Sequence, residues 1–187
     1  MNNTNPFIYS DDNKRYHTLN YYNKSSFNSK VFKAVIDAGF TCPNKDGTKG
    51  TGGCIYCMGG SGYFTEKSDG EIYDSVKRQL AAEKERIYKK HPNSLITAYF
   101  QANTNTYAPV ATLKEAYTAA LDFGVHGISI GTRADCLPDD VIALLCDINS
   151  KTRLTVELGL QTIHDKSAQI INRCYTYDEF LEGYRKL

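Results

Sequence analysis

Cys42-Pro-Asn-Lys-Asp-Gly-Thr-Lys-Gly-Thr-Gly-Gly-Cys54-Ile-Tyr-Cys57 is the stretch on which the reading of this chain turns. Three cysteines fall within sixteen residues, and four glycines lie between the first and the second. Cys54 and Cys57 have two residues between them, close enough for both thiolates to meet one metal centre. The glycines let the backbone fold back so that Cys42 can join them, because glycine tolerates positive φ and leaves room beside a bulky group. Soft thiolates suit zinc or an iron–sulfur cluster. A structural zinc site is normally closed by four protein ligands, and this loop supplies three. A cluster held by three cysteines keeps one iron open to a substrate or cofactor.

Outward from this loop the chain alternates strand and helix. Lys30–Gly39, rich in β-branched and aromatic residues and ending on a glycine, predicts a first strand that leads into the cysteine loop. A helix is expected from about Asp69 to Lys90, where Ile72, Val76, Leu80 and Ile87 recur at helical spacing and Pro92 follows. Leu95–Gln101 reads as the second strand and Ala102–Pro109 as a polar loop. A helix follows to about Phe123, with Thr112 as its cap and Glu115 as capping-box partner. Gly127–Gly131 is a short third strand, and Pro138 to about Ile148 is a helix with proline in its first turn and acids behind it. Arg153–Leu160 is the fourth strand; His164–Ile171 and Tyr177–Leu187 read as helical. Four βα units argue for a parallel sheet with helices outside it, an α/β fold. The ends of parallel strands are where such folds place chemistry. Residues 1–29, polar and rich in Asn, Tyr and Ser, are expected to form an N-terminal arm, with a short helix near Tyr16–Lys24. Residues 30–187 form the core.

Ala38-Gly-Phe-Thr-Cys-Pro-Asn-Lys-Asp-Gly-Thr48 together with Gly52-Gly-Cys-Ile-Tyr-Cys57 resembles the cluster loop of radical S-adenosylmethionine (SAM) enzymes. The first gap, eleven residues, is longer than in the commonest form of that superfamily, whereas the second gap and the aromatic Tyr56 before the last cysteine match it. The long gap is similar to that of a short bacterial family on the branch that includes the Elongator catalytic subunit and the oxygen-independent coproporphyrinogen oxidase. The resemblance implies a partial parallel (βα) barrel of radical SAM type. Family members run on with further βα units, so the chain is expected to be an N-terminal portion with an exposed sheet edge. It also implies that Cys42, Cys54 and Cys57 hold a [4Fe-4S] cluster whose open iron chelates SAM. One electron would then cleave SAM to methionine and a 5′-deoxyadenosyl radical that abstracts hydrogen from the substrate.

The resemblance also orders the remaining candidates. Gln101 and Asn103 follow the second strand, where the superfamily commonly has a glycine-rich motif for the SAM amino group; those glycines are absent here. Thr132, Arg133 and Asp135 follow the third strand, where a strand-end residue would face the cofactor. Asp135 is taken as a polar active-site residue, against the alternative of a helix-capping loop acid. Glu157-Leu-Gly-Leu-Gln161-Thr162 resembles the branch's fourth-strand motif, in which the position of Gln161 contacts SAM. Asn172-Arg173 resembles its Asn-Arg pair, whose arginine meets the SAM carboxylate, a task suited to a bidentate guanidinium. Glu157 itself is expected to point into the barrel; an inward acid is costly without a partner, so it is either paired or catalytic. Cys146, inside the apolar run Leu144–Ile148, reads as core, Cys174 as structural, and Cys136 as the stray thiol to test as a ligand. The run Gly59–Gly62 lacks the Lys-Ser/Thr of a phosphate-binding loop and reads as flexible backbone beside the cluster.

Composition excludes little beyond this. The chain has 187 residues, a formal net charge of +1 and 41% hydrophobic residues, which makes one globular domain the default, and the overall charge gives no argument for nucleic acid or membrane. Six cysteines without a signal peptide point to metal or reduced thiols, hence to the cytoplasm. No apolar run approaches the roughly 20 residues that span a membrane. The resemblance implies tRNA as partner, through the carboxymethylaminomethyl side chain of the wobble uridine, and a flavodoxin- or ferredoxin-type electron donor. No Lys/Arg run exceeds two residues, so charge adds little support. The other class of reading is a non-catalytic metal-binding or partner-binding module.

Overall fold

The computed structural model describes residue 7 and residues 14–57 and 68–187. Gly59–Gly62 lies outside the described residues. Four parallel strands, β1 (Val31–Ile36), β2 (Leu95–Phe100), β3 (Gly127–Thr132) and β4 (Arg153–Leu158), form one sheet in the order β1-β2-β3-β4. The helices are α1 (Leu19–Phe27), α2 (Ile72–Tyr88), α3 (Val110–Phe123), α4 (Asp139–Lys151), α5 (Asp165–Ile170) and α6 (Tyr177–Lys186). This is the α/β alternation expected, with a parallel sheet consistent with a partial radical SAM barrel.

Strand periodicity decides the two faces of the sheet, because successive side chains point to opposite sides. Ala34 and Ile36, Ile96, Ala98 and Phe100, and Ile128 and Ile130 are buried in one core with Val76 and Leu80 of α2, Leu113 and Tyr117 of α3, and Val141, Leu145 and Ile148 of α4. The other face is polar: Lys33, Thr97, Ser129, Thr155 and Glu157 line a cavity of about 220 Å³ beneath α1. On that face Lys33 of β1 forms an ion pair with Glu157 of β4, although two strands lie between them. Three spacings in a flat sheet would separate those strands by about 14 Å, so the sheet curls inward toward its polar face. Helix α1 closes the N-terminal end of this concavity. Arg153 donates to the Tyr22 hydroxyl at 2.8 Å and lies over the Phe27 ring, while Phe27 packs edge-on against His126 at 4.4 Å.

The start of α3 and the burial of one cysteine differ from the sequence reading. Helix α3 begins at Val110 after Pro109, whose carbonyl accepts from the Thr112 and Leu113 amides at 2.9 and 3.1 Å, so Thr112 lies inside the first turn and caps nothing. The capping box belongs to α6, where Thr176 and Glu179 satisfy each other's backbone amides. Cys146 is exposed on α4, contrary to its reading as core; the inward positions of that helix are Val141, Leu144, Leu145 and Ile148. Helix α6 lies against the loop after β3 at Gly183. A Cβ built there would stand 1.9 Å from the Ala134 carbonyl oxygen and 2.6 Å from its carbon. Both atoms are backbone, so Gly183→Ala is expected to push α6 off this loop. We expect a loss of about 1–3 kcal/mol, read from urea denaturation; a wild-type midpoint would mean that α6 is not seated there.

Candidate active site at the C-terminal ends of the strands

The long gap between Cys42 and Cys54 is folded away as a small hairpin. The Cys42 carbonyl accepts from Lys45 and Asp46, Asp46 and Thr51 form an antiparallel bridge, and the Gly53 amide donates to the Asn44 carbonyl at 2.8 Å. Residues 45–52 are thus an excursion, and the path from Cys42 to Cys54 is closed by the Asn44–Gly53 contact. Gly52 and Gly53 make the return with φ of 77° and 76°, a region that side-chain-bearing residues rarely adopt. Cys57 follows in a turn, its amide donating to the Cys54 carbonyl at 2.8 Å.

The donor set fits a thiolate-held cluster in its chemistry. Cys42, Cys54 and Cys57 are free thiols, two partly buried and Cys57 exposed. Asn44 donates from Nδ2 to Cys54 Sγ at 3.4 Å, so one sulfur already accepts a hydrogen bond. Among the described residues, no three cysteine, histidine or acidic side chains stand close enough to hold one ion. The three thiols share one loop at one end of the sheet without being gathered at a point. Tyr56, half-exposed between two of them, has its phenol pKa raised by burial and by its contact with Cys54.

The segment after α5 clasps this loop. The Asn172 amide group donates to the Thr51 and Gly53 carbonyls, the Asn172 carbonyl accepts from Asn44, and the Ile55 amide donates to Ile171. Arg173 lies at the centre of the clasp and is 1% exposed. Its Nη1 donates to the Leu160 and Thr162 carbonyls at 2.7 and 2.6 Å, and Nε and Nη2 donate to Tyr175 at 2.9 and 2.7 Å. The guanidinium expected to meet a cofactor carboxylate is occupied by the chain's own carbonyls. Asn172 and Cys174 flank it in the left-handed region, with φ of 55° and 59°, strained conformations held by this network.

Asp135 is likewise committed. Its carboxylate takes a bidentate pair from Arg133, at 2.9 and 2.8 Å, and an ion pair from Lys49 of the excursion at 2.7 Å. Lys49 also reaches Glu179 of α6, and Arg133 donates to the Arg173 carbonyl. Burial pushes the Asp135 carboxyl up, but the hydrogen bonds from Arg133 and Lys49 outweigh it and hold its pKa below the ordinary aspartate value. A carboxylate paired in this way ties the loop to β3 through Arg133 and Lys49. Thr132 stands at the end of β3. It is buried on the helix face, 2.5 Å from the Thr106 hydroxyl, which in turn donates to the Cys136 carbonyl. Cys136 is buried, and desolvation pushes its thiol up to about 12.

Other candidates stand elsewhere. Gln101 and Gln161 are exposed at the ends of β2 and β4, and Gln161 has a φ of 59° and folds its side chain toward Gly159. Asn103 bridges the Phe40 carbonyl and Lys45 Nζ, pinning the excursion to the end of β1. Glu157 lies on the concave face, paired with Lys33 and accepting from the Tyr99 hydroxyl at 3.0 Å, with Lys33 Nζ 3.8 Å above the Tyr99 ring. Burial, then the bond to Glu157, pushes the Tyr99 phenol up to about 12, so it remains the donor at neutral pH. The structure therefore separates the candidates into a buried set around Arg173 and Asp135 and a concave-face set around Glu157. Lys33, Lys49 and Asn44 were not singled out in the sequence. Lys33 had a signal, a lone charge in an otherwise apolar strand. A cavity of about 990 Å³ also opens at this end, lined by Thr41, Lys49, Asp135 and Glu179, but none of the three loop cysteines lines it.

Comparison with known proteins agrees with this architecture. Residues 45–187 match the radical SAM superfamily. The chain is 48% identical to YtqA of Bacillus subtilis (strain 168), over its whole length and 58% of that protein. It is 38% identical to YhcC of Escherichia coli (strain K12), over 81% of this chain and 47% of that one. It is 33% identical to an uncharacterized protein of Methanocaldococcus jannaschii, over 88% of this chain and 50% of that one. The chain thus spans about half the length of the curated relatives it matches. No helix among the described residues is long and apolar enough to cross a membrane. With four parallel βα units, a cysteine loop at the end of β1 and a family match over most of its length, the chain belongs to the radical SAM superfamily.

Proposed function

We propose that this chain is the cluster-bearing core of a radical SAM enzyme, in which Cys42, Cys54 and Cys57 hold a [4Fe-4S] cluster that binds SAM. The observation that carries the reading is the hairpin closure between Asn44 and Gly53, which returns Cys54 toward Cys42 at the end of β1. When bound, the cluster supplies the electron for reductive cleavage of SAM. The chain's own part is to hold and orient. The clasp of Asn172 and the pin of Asn103 fix the loop, while the exposed Gln101 and Gln161 are positioned to meet a cofactor at the strand ends. Glu157 and Tyr99 form a hydrogen-bonded pair on the concave face, with Lys33 bound to the same carboxylate.

For the substrate we propose the wobble-uridine side chain of tRNA, with a flavodoxin or ferredoxin as electron donor in the cytoplasm. Its support is the likeness of Ala38–Thr48 and Gly52–Cys57 to the short bacterial family described above. The test is anaerobic. The protein is loaded with iron and sulfide, reduced, and examined by electron paramagnetic resonance with and without SAM, and 5′-deoxyadenosine is assayed. A [4Fe-4S]⁺ signal that shifts on adding SAM, with 5′-deoxyadenosine formed, is expected. The second reading, a non-catalytic metal-binding or partner-binding module, draws on the ungathered thiols. Tightly held zinc without iron, or a cluster blind to SAM, would decide for it.

A further inference from the structure

Asn44 is fully buried, two residues after the first cysteine of the loop. Its amide nitrogen has two hydrogens and two acceptors, the Asn172 carbonyl and Cys54 Sγ, the latter at 3.4 Å. The orientation of the amide is fixed by chemistry: turned over, its oxygen would face the Asn172 carbonyl, an acceptor against an acceptor. Oδ1 therefore points the other way, buried and without a hydrogen-bond partner. It lies against Gly50, where an added Cβ would stand 2.3 Å from it and 2.8 Å from Cys174 Sγ. An amide left with an orphaned oxygen is costly, and here its nitrogen meets a cysteine sulfur.

Resting on the cluster reading above, we propose that Asn44 is a positioning residue that donates a hydrogen bond to the Cys54 sulfur ligand and thereby sets the reduction potential of the bound cluster, with Asn172 aiming it. Hydrogen bonds to cluster sulfurs are one of the determinants of that potential, and groups beyond the ligands tune a metal site. A donor stabilises the more negative, reduced form, so its removal lowers the potential. The Asn172 carbonyl holds the amide from a segment 128 residues further along the chain. The clasp thus bears on both the position of the loop and the electron affinity of what it holds.

The experiment is redox titration of the reconstituted protein, wild type against Asn44→Ser and Gly50→Ala, with iron and sulfide content measured for each. Gly50→Ala keeps the asparagine and displaces its amide, so it tests the same contact without removing the residue. We expect clusters of wild-type content in at least one variant and a reduction equilibrium shifted about tenfold against the reduced form, which is about 59 mV for one electron. Asparagine labelled with ¹⁵N gives a direct second measurement: a weak nitrogen coupling to the reduced cluster in the wild type, lost in Asn44→Ser. Unchanged potentials in loaded variants, or no such coupling in the loaded wild type, overturn the proposal while leaving the cluster reading intact. A wild type that takes up no cluster overturns both.

Discussion

Arg173→Met is expected to destabilise the protein by about 3–5 kcal/mol. The methionine has nearly the length of arginine and none of its donors. The partly buried Thr162 carbonyl and the buried Tyr175 carbonyl lose their guanidinium donors, and the Leu160 carbonyl keeps only the Thr162 amide. Each unsatisfied buried group costs about 1–3 kcal/mol, and water entering the opened clasp relieves part of that. The packing of the guanidinium on the Tyr175 ring, 4.3 Å away, is lost as well. Arg173→Lys keeps the charge but cannot span carbonyls on both sides, so its loss is expected to be smaller but of the same sign. Urea denaturation followed by circular dichroism gives both values. A loss under about 1 kcal/mol, accompanied by weakened SAM binding, would return Arg173 to the cofactor.

Asp135→Asn is expected to cost a similar amount, because breaking a buried pair strands the remaining charge, typically for about 3–5 kcal/mol. The side chains of Asp135 and Arg133 are 4% and 10% exposed, so the stranded guanidinium has little water to turn to. Lys49, released at the same time, keeps Glu179. The pH dependence has a definite sign. The folded pKa of Asp135 is depressed below the ordinary value of about 3.9. The stabilisation is therefore complete above that value and is lost as pH falls through the lower folded pKa. Denaturation midpoints measured from pH 7 down to pH 3 should draw closer for wild type and variant below about pH 4, where the unfolded carboxylate takes up its proton. Parallel curves that never approach one another would show that the ion cluster contributes nothing.

The same two residues show where sequence ceases to be enough. Strands and helices were legible because the core alternates with period two in β2 and recurs at helical spacing in α2. The cysteine loop was legible because thiolates at that spacing have few other uses. Arg173 was not, since a guanidinium that fits a carboxylate fits two peptide carbonyls as well, and its acceptors are set by the turn around it. Glu157 could be read as paired or catalytic, but Lys33 lies 124 residues away and meets it through the curl of the sheet. Cys146 was misplaced by reading an apolar run instead of its period. Inward positions Leu144, Leu145 and Ile148 leave it on the outer side. The capping pattern of α3 was overridden by Pro109, whose fixed φ and free carbonyl start the helix earlier.

The hairpin excursion separates contour length from distance. Between Asn44 and Gly53 the chain travels out and back, and the contact that closes it spans 2.8 Å. The count of residues between the first two cysteines is therefore no ruler for how far apart their sulfurs stand. A loop of this design could be lengthened or shortened at its tip, between Asp46 and Thr51, without moving the cysteines, because the cost of closing a loop grows only slowly with its length. What holds its length in this chain is the reach of Lys49 to Asp135 and Glu179.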